Sequence, residues 1–262
     1  MNTKKQQNRF KDFLTASGES SDVLPLVHTT TAFSFADICN ERSLNKKHCS
    51  HFDDEIVYLF YGRPAFRVED SVDSELEFNW PIIFIFDPAT IDDLRAVFPF
   101  DTGAFFGNLY RKFFSKKQKI EDFMLSGDLA NARKIVGAFY GSSKKYYSES
   151  GSKNIDIGPM EFEAQGIQNL SRLPSRQKSL DERSSSIEVQ VNTDVSIADS
   201  ALAIILPQQY LNLDVVVEAL EYWDIDIVEY YEVLTVLNME TQIYHIYEKV
   251  KDIYIKLGFL QE

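Results

Sequence analysis

Residues 56–67 read Ile56-Val57-Tyr58-Leu59-Phe60-Tyr61-Gly62-Arg63-Pro64-Ala65-Phe66-Arg67. A run of β-branched and aromatic residues closed by Gly-Arg-Pro predicts a strand over 55–61 and a turn, with 65–68 returning as a partner. Working outward, Leu24–Thr29, entered at Pro25, predicts a first strand, and Thr30 and Thr31 follow directly. On the other side, Ser186–Val191 predicts a late strand. There Ile187, Val189 and Val191 take one face and Ser186, Glu188 and Gln190 the other, because side chains alternate along a strand. The apolar triplet belongs to the core, which leaves Glu188 on a rigid strand facing a cleft.

The continuous apolar run 79–86 predicts a strand covered on both faces, and 201–206 another. Helical spacing predicts Ala32–Arg42, a short helix from Thr90 or Asp92 to Val97, and helices over 122–126 and 128–140. Residues 43–54, 141–158 and 171–186 are too polar for core and read as loops, with 160–170 between the last two as strand or short helix. Two apolar stripes close the chain. One runs from Leu213 to Leu237 through Val217, Leu220, Ile227 and Tyr230, the other from Ile243 to Leu257, and both predict amphipathic helices.

With 262 residues, 44% of them hydrophobic and 26% charged, the chain suffices for one substantial core. Met1–Phe10 is polar and basic with no apolar run behind it, and the longest apolar stretch, Trp80–Phe86, is too short to cross a bilayer. Two cysteines, Cys39 and Cys49, make no disulfide framework. The expectation is a cytoplasmic protein without a membrane partner. Net charge is −13, and 207–262 carries eleven Asp/Glu against three Lys and no Arg. Such acidity argues against indiscriminate nucleic-acid binding. Basic residues nonetheless gather locally: Lys4, Lys5, Arg9 and Lys11; Arg111, Lys112, Lys116, Lys117 and Lys119; and Arg172, Arg176, Lys178 and Arg183.

Each of the three strands carries groups that a purely structural strand does not need. His28 and its threonines can bond ribose hydroxyls. Tyr58 and Tyr61 can stack on a flat heterocycle, and Arg63 and Arg67 offer forks for a pyrophosphate. A fixed carboxylate at Glu188 can stabilise the oxocarbenium-like sugar that forms when a glycosidic bond breaks. Cys39, His48, Cys49 and His51 have the residue types of a zinc site but not its spacing, so no metal is expected. Gly-rich phosphate loops and nucleophile elbows are absent.

His28-Thr29, the segment Tyr58-Leu59-Phe60-Tyr61-Gly62-Arg63-Pro64 and Arg183-Ser184-Ser185-Ser186-Ile187-Glu188 resemble the ordered motifs of ADP-ribosyltransferases of the His–Tyr–Glu type. The nearest likeness is to DarT-type toxins that modify nucleic-acid bases. The resemblance covers about half the chain in short patches. It implies an α+β fold with a split mixed/antiparallel β-sheet that binds NAD centrally, over 1–206, while 207–262 reads from its own apolar stripes as an appended acidic helical pair packed on it. It implies His28, Thr29 and Thr30 on the NAD ribose, Tyr58 and Tyr61 beside nicotinamide, Arg63 or Arg67 on phosphate, and catalysis by Glu188 with His28 and Tyr61. Loop 171–186 would recognise the target. The turn at Gly62-Arg63-Pro64 is tighter than the family's Arg-x-Pro, and the acidic tail has no counterpart in it. Glu161 and Glu163 form a Glu-x-Glu pair that rivals Glu188.

The expected function is that of a toxin or phage-defence effector that uses NAD to modify RNA or DNA, or alternatively protein, with an antitoxin as possible partner. An NAD glycohydrolase and an inert interaction module are the alternatives.

Overall fold

The computed structural model describes residues 9–19, 22–66, 76–152, 154–172, 182–233 and 239–261. Its centre is a nine-stranded, mostly antiparallel sheet. In chain order the strands are β1 (Leu26–Thr31), β2 (Ser43–Leu44), β3 (Lys47–Cys49), β4 (Asp54–Tyr61), β5 (Pro81–Phe86), β6 (Leu94–Phe98), β7 (Leu125–Ser126), β8 (Ile187–Val191), β9 (Val195–Ser196), β10 (Ala201–Pro207) and β11 (Ile227–Tyr231). Across the sheet they run β11-β10-β5-β1-β4-β8-β6-β7, with β3 attached to β4 and with β2 and β9 forming a separate two-stranded ribbon. The helices are α1 (Arg9–Thr15), α2 (Ala32–Glu41), α3 (Thr102–Phe106), α4 (Leu129–Phe139), α5 (Ser143–Tyr147), α6 (Phe162–Ser171), α7 (Ile197–Ser200), α8 (Asp214–Trp223) and α9 (Met239–Lys256). The molecule is α+β, as expected, with a mixed, mostly antiparallel sheet flanked by helices.

The sheet forks in the middle. Strand β1 pairs with β5 along all six of its residues, and β4 pairs with β8 along five. Between β1 and β4 only Leu26↔Tyr61 and Val27↔Phe60 are in register. Beyond that point the strands diverge, and the His28 ring takes the place of the lost ladder: its Nδ1 lies 3.0 Å from the Tyr58 carbonyl oxygen. Loss of hydration lowers the His28 pKa and so favours the neutral ring, which can donate this bond.

Each half of the fork has its own cover. Phe84 on β5 packs against Phe35 of α2 and Trp223 of α8, with ring centroids 6.0 and 5.7 Å apart. Helices α1, α4 and α6 contact one another beside the other half, where Phe10, Phe123 and Phe139 meet. Buried aliphatic and aromatic side chains form one cluster through both halves. Among the described residues no helix is long and apolar enough to cross a membrane.

Several predicted elements differ from those observed. Residues 94–98, read as the end of a helix, are strand β6, because pairing with β8 on one side and β7 on the other overrides the helix preference of Leu-Arg-Ala. The polar stretch 43–54 contains β2 and β3, and 122–126 contains β7 rather than a helix. Residues 207–262 are not an appended helical pair. Strand β11 lies parallel to β10 and completes the sheet, α8 packs on α2, and Tyr231 donates its hydroxyl to the Pro81 carbonyl at 2.9 Å. The return strand expected at 65–68 is not seen at Ala65 and Phe66, and its remaining residues lie outside those described.

Candidate active site at the fork of the sheet

Where β1 and β4 part, a cavity of about 530 Å³ opens, within the range that holds small molecules and cofactors. Its wall includes Thr29, Thr30 and Thr31 of β1, Ser34 of α2, Tyr58 and Phe60 of β4, Glu188 of β8, Asp101, Thr102 and Gly103 at the start of α3, Arg183, and Ile243 of α9.

Strand parity decides which side chains reach it. Phe60 pairs with Glu188 and Glu188 with Phe98, while Tyr58 pairs with Gln190, so these residues share one face. Ile187 and Val189 take the other face, as the alternation predicts. Glu188 does not stand in open solvent, however. It is 1% exposed, and both its oxygens accept hydrogen bonds. The Thr102 amide donates to Oε2 at 2.7 Å, the Thr102 hydroxyl approaches Oε1 at 2.9 Å and Oε2 at 3.1 Å, and Gln190 Nε2 donates to Oε1 at 2.7 Å. Gln190 is oriented in turn by Arg95, whose Nη1 donates to its amide oxygen and whose Nε pairs with Asp54 at 3.1 Å. Burial first, and then the negative charge of Asp101, raise the Glu188 pKa to about 8 from an ordinary 4.5, against the opposing hydrogen bonds.

Asp101 accepts from the Ala104 amide and caps α3, and Arg183 Nη1 approaches it at 3.8 Å. The cavity wall therefore holds two carboxylates and a guanidinium side by side.

Of the residues singled out in the sequence, Thr29, Thr30, Tyr58 and Glu188 meet at the cavity. Tyr61 does not. Three residues from Tyr58 on the same strand, it points to the opposite face and is fully buried, accepting the Leu24 amide at 3.0 Å and donating to the Asp22 carbonyl at 3.3 Å. His28 is spent on the fork itself and is absent from the cavity wall. Arg63 turns inward, 2% exposed, where it pairs with Glu149 at 3.1 Å, donates to the Tyr147 carbonyl and lies 5.0 Å from the Tyr247 ring centroid. A guanidinium committed to that inner cluster is not a phosphate ligand. Arg67 lies outside the described residues, as do 173–181 of the loop expected to recognise the target.

The rival pair lies away from the cavity. Glu163 is buried between Arg9 and Gln118, Glu161 accepts the Gly158 amide, and neither lines the cavity. Asp101, Thr102 and Gln190, which surround Glu188, are not among the residues singled out in the sequence. Only Gln190 carries a signal in the sequence, since it shares Glu188's parity; the Asp-Thr-Gly of 101–103 carries none, because the pairing of β6 with β8 is what brings it to Glu188. Cys49 and His51, read as incidental loop residues, also line the cavity, where His51 stacks on Phe106 at 4.0 Å. Among the described residues no group of three or more His, Cys, Asp or Glu is arranged to hold a metal ion.

Comparison with known proteins adds no family. No family model matches the chain, and no similar curated protein or solved structure is found.

Proposed function

We propose that the chain is an NAD-dependent ADP-ribosyltransferase acting as a toxin or phage-defence effector, with a macromolecular acceptor, nucleic acid before protein. The observation that carries this reading is Glu188: a carboxylate on a rigid strand, oriented by Thr102 and Gln190, in the wall of a cavity formed where the sheet forks. Three consecutive threonines and Tyr58 offer hydroxyls for the two riboses, and Arg183 offers a cation for the diphosphate.

In the transfer, the bond from ribose C1′ to the nicotinamide nitrogen breaks and nicotinamide leaves neutral with the electron pair. A bond from the acceptor nucleophile to C1′ forms, and the acceptor gives up its proton. Ionised Glu188 stabilises the positive charge that gathers on the sugar. With its pKa raised toward neutrality it is also suited to take the acceptor's proton.

The test is nicotinamide release and transfer of label from NAD to RNA, DNA or protein. Glu188→Gln is expected to lower the rate about 10²–10³-fold, the scale for loss of one fixed electrostatic stabiliser. Nicotinamide release with free ADP-ribose and no labelled macromolecule would instead make the protein an NAD glycohydrolase. No release at all would overturn the proposal.

A further inference from the structure

Beside the main cavity lies a second hollow of about 290 Å³, lined by Phe105, Asn108, Arg111, Ser115, Lys116 and Gln118, with Tyr110 and Phe114 beneath. It belongs to a basic exposed stretch of an acidic chain. Within 111–119 stand Arg111, Lys112, Lys116, Lys117 and Lys119 with no carboxylate among them, against a chain charge of −13. All five are exposed, and none forms an ion pair with a described residue.

The strip is held in shape from below. Phe114 packs on Phe100 and Phe123 at 5.3 and 4.8 Å, and Tyr110 on Phe100 at 5.3 Å. Gln118 accepts the Ser115 amide at 2.8 Å and donates to buried Glu163 at 3.2 Å. Gathering five like charges costs free energy that no ion pair among the described residues offsets, which suits the strip to an external polyanion.

We propose that residues 108–119 dock the phosphodiester backbone of a single-stranded nucleic acid. Arginine, lysine, hydroxyl and amide donors around one narrow hollow suit phosphate oxygens, and the half-exposed ring of Phe105 offers a base a stacking face. Leu109 is the one large apolar side chain strongly exposed among 108–119, so the strip lacks the apolar face that seats a helix in a bilayer. Helix α3 joins the two hollows: Thr102 and Gly103 wall the main cavity and Phe105 the second, about one turn or ~5 Å along the helix. A strand on the strip therefore lies beside the cavity. Its role as acceptor rests on the transfer reaction proposed above, but the binding does not.

Fluorescence anisotropy of labelled single-stranded RNA and DNA with the full chain tests the site. Five neutralised phosphates give a logarithmic salt slope of about −3.5, or roughly 100-fold weaker binding between 50 and 200 mM salt. Replacing Arg111, Lys112, Lys116, Lys117 and Lys119 by Ala is expected to bring the slope near zero, and five Gln replacements to do the same. The exposed pair Lys144→Ala/Lys145→Ala is expected to leave it unchanged. An unchanged melting temperature shows that the variants are folded. Retained affinity and slope in the five-residue variants, no oligonucleotide binding by the intact chain, or tighter binding to phosphatidylserine vesicles or polyglutamate would each overturn the proposal. Nicotinamide release without acceptor is expected to survive the five replacements. If the intact chain binds oligonucleotide but releases no nicotinamide, the transfer reaction fails and the docking strip stands.

Discussion

Glu188 shows how one carboxylate is set by its neighbours. Burial and Asp101 raise its pKa, while the hydrogen bonds from Thr102 and Gln190 hold it down. For the free protein, kcat/KM for nicotinamide release is therefore expected to rise with pH as Glu188 ionises through its raised pKa, which lies above the ordinary carboxylate range. Thr102→Val keeps the backbone amide bond and removes the hydroxyl, one of the groups favouring the ionised form. It is expected to move the rising limb to higher pH while kcat on the plateau changes little. An unshifted limb would show that a different group titrates. Stability follows the opposite sense. A carboxyl whose pKa is raised by folding stabilises the fold fully below its unfolded pKa of about 4.5, and that contribution is lost as pH climbs through the folded value. Glu188→Gln is expected to flatten this loss between pH 5 and 9 in thermal melts.

At the level of elements, the turn after β4 is tied to α5 and α9 through Arg63. Removing one partner of a buried ion pair leaves the other charge uncompensated, so Arg63→Ala is expected to destabilise the fold by ~3–5 kcal/mol in urea titration. A phosphate ligand would instead raise KM for NAD and leave stability alone. The turn also needs its glycine: Gly62 has φ +67°, and a Cβ there would run into the Leu24 side chain. Much of this was legible in the chain. Alternation placed Glu188 on the cavity face, and Gly-Arg-Pro marked the turn. The same parity rule, applied to Tyr58 and Tyr61, separates them, since an odd spacing puts two residues on opposite faces of a strand. Arg63 could not be assigned from spacing, because its direction is set by Glu149 and Tyr247, 86 and 184 residues further along. Strand β11 was misread because Ile227, Tyr230 and Leu234 also match helical spacing. The counter-signal was Asp224, left-handed at φ 52°, which ends α8 as an Asp can.

Across the whole molecule, the cavity is assembled from both ends of the described chain, Thr29 of β1 and Ile243 of α9 standing in one wall. Helix α9 buries Ile243, Ile246, Val250, Ile253 and Tyr254, and at ~1.5–3 kcal/mol for each buried apolar side chain its removal rivals the net stability of a domain. Ending the chain after Val233 is expected to abolish the cooperative thermal transition as well as NAD cleavage. A truncated chain that melts cooperatively would show α9 to be a separable cap. There is a consequence for synthesis. A nascent chain still on the ribosome, with β1, β4 and β8 already out but α9 inside the exit tunnel, has every polar group of the site and no closed chamber to put them in. Closure of the chamber is thereby postponed until translation has passed α9, the last of its walls to be made.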